Sequence, residues 1–111
     1  MPSEPEPDLE LEIAHVLLLD VVGYSKLLVN EQIEVLQQLN QTVRGTARFR
    51  ASDAREKLLR LPTGDGMALL FFDNPESPVQ CAVEISRALK DYPRIQLRMG
   101  AHSGAIKEVK D

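Results

Sequence analysis

An apolar run at residues 13–19 (Ile, Ala, His, Val, Leu, Leu, Leu) stops at a carboxylate, Asp20, and a glycine comes three positions later at Gly23. A short apolar run bounded in this way has the pattern of a strand buried on both faces. The chain must therefore cover this strand and also deliver an acidic side chain at its C-terminal end. Beyond Gly23 the period changes. Leu28, Val35, Leu36, Leu39 and Val43 recur at helical spacing, with Gln, Glu and Asn filling the opposite face, which predicts a long helix. A break near Asn30 can interrupt it, and it runs to about Asp53.

Leu58, Leu59 and Leu61 then precede a turn of Pro62, Thr63, Gly64, Asp65 and Gly66, and residues 67–72 are again apolar. Two strands joined by a tight hairpin have this pattern. Asp73, Asn74 and Pro75 open a second helix whose stripe is Cys81, Ala82, Ile85, Ala88, Leu89 and Tyr92, and Pro93 marks its end. Residues 95–102 read as a fourth strand closing at Ser103 and Gly104. The order is strand, helix, strand, strand, helix, strand, so the expected fold is α+β: a ferredoxin-like βαββαβ unit with an antiparallel sheet and helices on one face.

With 111 residues, only one core can be built. Residues 1–10, acidic and proline-rich, read as a solvated tail, which leaves 11–111 as the folded part. A net charge of −4 argues against a chain that wraps nucleic acid or coats an anionic membrane. No apolar run approaches the roughly twenty residues of a membrane span. The single cysteine, Cys81, can form no intrachain disulfide and belongs to no zinc spacing, so a reducing, cytoplasmic setting is expected. On the apolar helix stripe, Cys81 reads as core. His15 and His102 lack a second ligand at metal spacing and read as structural. Tyr24 is expected to pack beside the turn after the first strand.

In the expected topology the first and third strands are antiparallel neighbours, so the end of the first, at Asp20, meets the start of the third, just after Asp65. At about 4 Å and an effective dielectric near 20, two such charges repel by roughly 4 kcal/mol. A divalent cation, Mg²⁺ or Mn²⁺, would reconcile them. Beside them, the turn of Val21, Val22, Gly23, Tyr24 and Ser25 leads into the first helix, where unpaired amides and the positive dipole end suit a polyphosphate. Each motif alone also has a structural reading, since Asp caps helices and Gly-Asp-Gly is a common hairpin tip. Their convergence carries the chemical one.

At these residues the chain resembles the class III adenylate and guanylate cyclase domain. The stretch 17–25 resembles that family's first-strand motif of an apolar run, Asp, two aliphatics, Gly, an aromatic and a hydroxyl residue. Residues 63–68 resemble its hairpin motif, and residues 97–104 its following strand. The resemblance implies conversion of a nucleoside triphosphate, ATP or GTP, to a 3′,5′-cyclic nucleotide and pyrophosphate. It implies two Mg²⁺ or Mn²⁺ ions held by Asp20 and Asp65 as the catalytic pair. It further implies phosphate contacts from Val21, Val22, Gly23, Tyr24, Ser25, Gly64 and Arg98, and a head-to-tail homodimer in the complete protein.

Two departures shape the expectation. The family's usual base-selecting position holds Leu61, which cannot hydrogen-bond a purine, and the neighbouring Arg60 should point to the opposite face. The later segment that supplies a transition-state asparagine and arginine has no counterpart before Asp111, so the 111 residues are expected to be an incomplete domain with little cyclase activity of their own. Two other readings stay open. One is a catalytically inactive cyclase-like module that binds metal-nucleotide or a partner domain. The other is an unrelated ferredoxin-like interaction domain whose acidic pair is coincidental.

Overall fold

A computed structural model of the chain describes residues 8–110 and the side chains of residues 12–106. Strand β1 (Asp8–Val21) is followed by helices α1 (Val29–Gly45) and α2 (Ala47–Ala54). The hairpin β2 (Leu58–Pro62) and β3 (Gly66–Phe71), helix α3 (Ser77–Ala88) and strand β4 (Leu97–Lys110) complete the order. The sheet order is β2-β3-β1-β4 with every pairing antiparallel, so the expected ferredoxin-like α+β topology is the observed one.

Alternation along the strands divides the sheet into two unlike faces. Leu17, Leu19 and Val21 of β1 and Met67, Leu69 and Phe71 of β3 turn toward the helices. There they pack with Val35, Leu39 and Val43 of α1, Phe49 of α2, and Cys81 and Ile85 of α3. Each such aliphatic side chain stabilises the fold by about 1.5–3 kcal/mol through removal from water.

The opposite face has no helix over it among the described residues. Leu18 is left 55% exposed, with Leu59 at 47% and Leu61 at 45%. The expectation that β1 is buried on both faces is therefore corrected, because all three helices lie on one side. The paired strands β1 and β4 are also longer than the sequence suggested. β1 takes in Asp8, within the stretch read as tail, and β4 continues to Lys110, pairing with β1 from Val21↔Leu97 to Asp8↔Lys110.

The long helix breaks at Thr46 rather than near Asn30. Thr46 is extended (ψ 146°) and caps α2: its hydroxyl oxygen accepts from the Phe49 amide at 3.2 Å while its proton goes to the Val43 carbonyl at 2.9 Å. Glu84 of α3 completes the cap, its two carboxylate oxygens accepting from the Ala47 and Arg48 amides at 3.0 and 2.9 Å. A negative charge at a helix N-terminus satisfies orphan donors and opposes the dipole favourably.

The stripes are narrower than the sequence suggested. Leu28, just outside α1, is 68% exposed, and Ala88 and Tyr92 lie outside the buried face of α3. No helix among the described residues is long and apolar enough to cross a membrane.

Candidate active site

Asp20 sits where three strands meet. Its register partners are Gly66 on β3 and Arg98 on β4. The approach of β3 is close enough that only glycine fits: a Cβ on Gly66 would lie 1.9 Å from the Leu19 carbonyl oxygen and 2.7 Å from Asp20 Cα. One backbone bond pins the hairpin tip against the end of β1, from the Val21 amide to the Asp65 carbonyl (2.8 Å), and a second closes the hairpin itself, from the Thr63 amide to the Gly66 carbonyl (3.0 Å).

This packing opens two adjoining cavities. One, of about 510 Å³, is lined by Leu18, Leu19, Asp20, Thr63, Asp65, Arg98, Met99 and Gly100. The other, of about 370 Å³, is lined by Val21, Gly23, Tyr24, Ser25, Gly64, Asp65 and Arg98. Asp65 and Arg98 border both. Eight of the nine residues singled out in the sequence thus line this region. Val22 lines neither cavity; its side chain is 45% exposed.

The electrostatics differ from the simple picture of two facing carboxylates. Arg98 already lies against Asp20, its Nε donating to Oδ1 and its Nη2 to Oδ2, both at 3.4 Å. A counter-charge from the chain itself therefore offsets part of the repulsion that the sequence leaves wholly to a cation. The Arg98 side chain is 74% exposed and that of Asp20 34%, so the pair is screened and contributes on the order of 0.2–1 kcal/mol.

The turn after β1 is also shorter than expected. Gly23 has φ 73°, the left-handed region that glycine enters without steric cost. Only a three-residue 3-10 turn, Tyr24–Lys26, comes after it, and α1 begins at Val29. The dipole of the long helix does not point from this turn, which corrects that part of the phosphate argument. Two of the five amides are already engaged, Val21 with Asp65 and Val22 with the Gln96 carbonyl at 2.8 Å. Those of Gly23, Tyr24 and Ser25 precede the first helical acceptor and are the donors left for an anion. Tyr24 is half-buried against the core, and its carbonyl accepts from Gln32 Nε2 at 3.0 Å.

Among the remaining candidates, Leu61 projects from the uncovered sheet face, while Arg60 turns to the helices and donates to Asn40 Oδ1 at 3.1 Å. His15 Nδ1 and Ser103 Oγ lie 2.7 Å apart across the β1–β4 ladder, and His102 is exposed. Burial pushes the Cys81 thiol up to about 11, and it lies 3.6 Å from Thr46 Oγ1, deep in the core. No group of three or more His, Cys, Asp or Glu suited to a metal occurs among the described residues. Asp20 and Asp65 are the acidic residues of the first cavity, and Asp65 is that of the second. Sequence reasoning missed Leu18, Leu19, Thr63, Met99 and Gly100 as lining residues; carrying the β1–β4 register one or two residues past Arg98 would have found the last two.

A second cleft of about 510 Å³ between α2 and α3 is lined by Ala47, Arg48, Val79, Val83 and Glu84 among others. Its one carboxylate, Glu84, is committed to the α2 cap.

No family model matches the sequence, and no curated protein matches it. Solved structures do. A bacterial light-regulated adenylyl cyclase superimposes with a TM-score of 0.68 at 16% identity, over 86% of this chain and 55% of that one. An adenylate/guanylate cyclase/hydrolase from Silicibacter pomeroyi superimposes with a TM-score of 0.61 at 22% identity, over 91% and 62%. The chain spans less than two thirds of either protein. Over that span it has the fold of a class III nucleotide cyclase domain.

Proposed function

We propose that the chain forms part of a nucleotidyl cyclase site that binds a nucleoside triphosphate, ATP or GTP, with two Mg²⁺ or Mn²⁺ ions, in cytoplasmic cyclic-nucleotide signalling. One observation carries this reading: Asp20 and Asp65, 45 positions apart in the sequence, border one cavity beside a turn with uncommitted amides. The donor chemistry fits the ions. Both cavities offer carboxylate oxygen and no thiol or imidazole, and hard oxygen suits Mg²⁺ and Mn²⁺, whose remaining positions go to water and phosphate.

Asp20 and Asp65 would hold the ions at the strand ends. When bound, these ions supply Lewis-acid chemistry, lowering the pKa of the attacking ribose 3′ hydroxyl and neutralising the departing pyrophosphate. The amides of Gly23, Tyr24 and Ser25 would orient the β and γ phosphates, and Arg98 would reach the same tail with its planar fork. The uncovered apolar face bearing Leu18, Leu59 and Leu61 supports assembly with a second copy in the complete protein.

The alternative reading, a cyclase-like module that binds metal-nucleotide without turnover, is favoured by Leu61. An apolar group stands where base recognition would be expected, and Arg60 is held away by Asn40.

The deciding experiment titrates Mn²⁺ together with a non-hydrolysable ATP or GTP analogue into the chain and its Asp20→Ala variant. Metal-dependent binding that is lost in the variant is expected. Equal binding by both would reduce the cyclase likeness to one of fold.

A further inference from the structure

We infer that Arg98 is a latch on the candidate metal site, held on Asp20 when the site is free and released to the phosphates when metal and nucleotide bind together. The inference rests on the reading of Asp20 as a metal ligand, and adds to it a coupling between the two ligands.

Both oxygens of Asp20 are engaged by Arg98, through Nε and Nη2. A divalent ion approaching Asp20 therefore meets a cation already there, and the two repel. The guanidinium is free to go elsewhere, because its side chain is 74% exposed and not packed in place. Its destination adjoins its present position: Arg98 borders both the cavity of Asp20 and the cavity of the Gly23–Ser25 amides.

Metal alone releases Arg98 into solvent and forfeits the ion pair. Metal arriving with a polyphosphate releases it onto a new anion. Nucleotide must then raise metal affinity, and metal must raise nucleotide affinity by the same factor, since the coupling is reciprocal. Without the latch, two carboxylates at a strand end would collect any divalent cation. With it, the site favours the metal-nucleotide complex over bare metal.

The test compares wild type, Arg98→Gln, Asp20→Asn, the double variant and a charge control, Arg94→Gln, whose partner Glu34 lies on α1. Calorimetry reads Mn²⁺ alone, then a non-hydrolysable ATP analogue at saturating Mn²⁺, with circular dichroism confirming the fold. Arg98→Gln is expected to bind Mn²⁺ alone about two- to five-fold more tightly, the scale of an exposed ion pair, and to bind the analogue more weakly. The gain in Mn²⁺ affinity should vanish in the Asp20→Asn background and be absent in Arg94→Gln.

If Asp20→Asn loses Mn²⁺ while Arg98→Gln gains none, the latch is refuted and the metal reading stands. An equal gain in Arg94→Gln refutes the latch as mere bulk charge. Unchanged Mn²⁺ binding in Asp20→Asn overturns the metal reading and the latch with it.

Discussion

Replacing Gly66 with alanine should be the most damaging single-methyl change in the sheet. The added Cβ would lie 1.9 Å from the Leu19 carbonyl oxygen, 2.7 Å from Asp20 Cα and 2.8 Å from the Leu19 carbonyl carbon. All three obstacles are backbone, so no side chain can rotate away. Ordinary contact begins near 3.4 Å, and β3 must retreat from β1 by about 1.5 Å. Such a shift strains the bond that pins the tip to β1, from the Val21 amide to the Asp65 carbonyl. That bond is worth roughly 0.5–1.5 kcal/mol net, and overpacking adds about 1–3 kcal/mol.

The expected loss is about 3 kcal/mol, or a fall in Tm of roughly 10–20 °C for a domain of this size. Urea and thermal unfolding followed by circular dichroism measure it. Gly64→Ala, two residues away with nothing within 4 Å of its Cβ, is the matched control and should shift stability by less than about 0.5 kcal/mol. Gly66→Ala unfolding within error of Gly64→Ala would refute the close-approach argument.

Two further predictions concern the helical layer. Glu84→Ala should cost about 1–2 kcal/mol in urea unfolding, because it orphans the Ala47 and Arg48 amides at the start of α2. Glu84→Gln, which keeps an acceptor, should recover part of that loss; no loss in Glu84→Ala would mean that Thr46 caps α2 unaided. At Asp73, burial pushes the carboxyl up, but hydrogen bonds from the Ser52 hydroxyl, the Asn74 amide and the Ser77 hydroxyl outweigh it and hold it below its ordinary 3.8. A depressed folded pKa contributes stability that is fully present above the unfolded value and lost as pH falls through the folded one. The stability difference between wild type and Asp73→Asn, roughly 1–3 kcal/mol at neutral pH, should therefore hold steady above about pH 5 and shrink below pH 3.8. A difference that stays constant down to about pH 2 would refute this account.

The topology was legible because each element carries its own period and punctuation. Val35, Leu39 and Val43 mark the buried side of α1 as the spacing says, and the Thr63-to-Gly66 turn joins two strands where turn chemistry says it should. The illegible parts depend on partners remote in sequence. The break at Thr46 is marked locally by Gly45 and the capping hydroxyl of Thr46, but the helical stripe on either side masks it, and its second support, Glu84, lies 37 positions on from Ala47. The exposure of Leu18 depends on which face the helices choose, and an apolar run reads alike whether one face or both are covered. At the candidate site, Asp20 and Asp65 were found because strand order alone brings their ends together. The Arg98 pairing with Asp20 was equally implied by β1 lying beside β4, but the phosphate role drawn from resemblance directed attention away from the nearer carboxylate.

Fold and candidate site are not separable at the end of β1. Asp20 belongs to the sheet ladder through Gly66 on one side and Arg98 on the other, and Asp65 is held by the backbone bond its carbonyl accepts from Val21. The backbone of the two carboxylates thus takes its relative position from strand register and the Val21–Asp65 bond, while the Arg98 side chain is largely exposed. Loosening α2 by removing its cap lowers global stability yet leaves that register intact in every folded molecule. Loosening β3 at Gly66 changes the register contact itself. If the proposed metal reading holds, two variants of equal instability should therefore differ in Mn²⁺ affinity under conditions where both are fully folded, because the precision of the site resides in a few backbone contacts and not in the total free energy of folding.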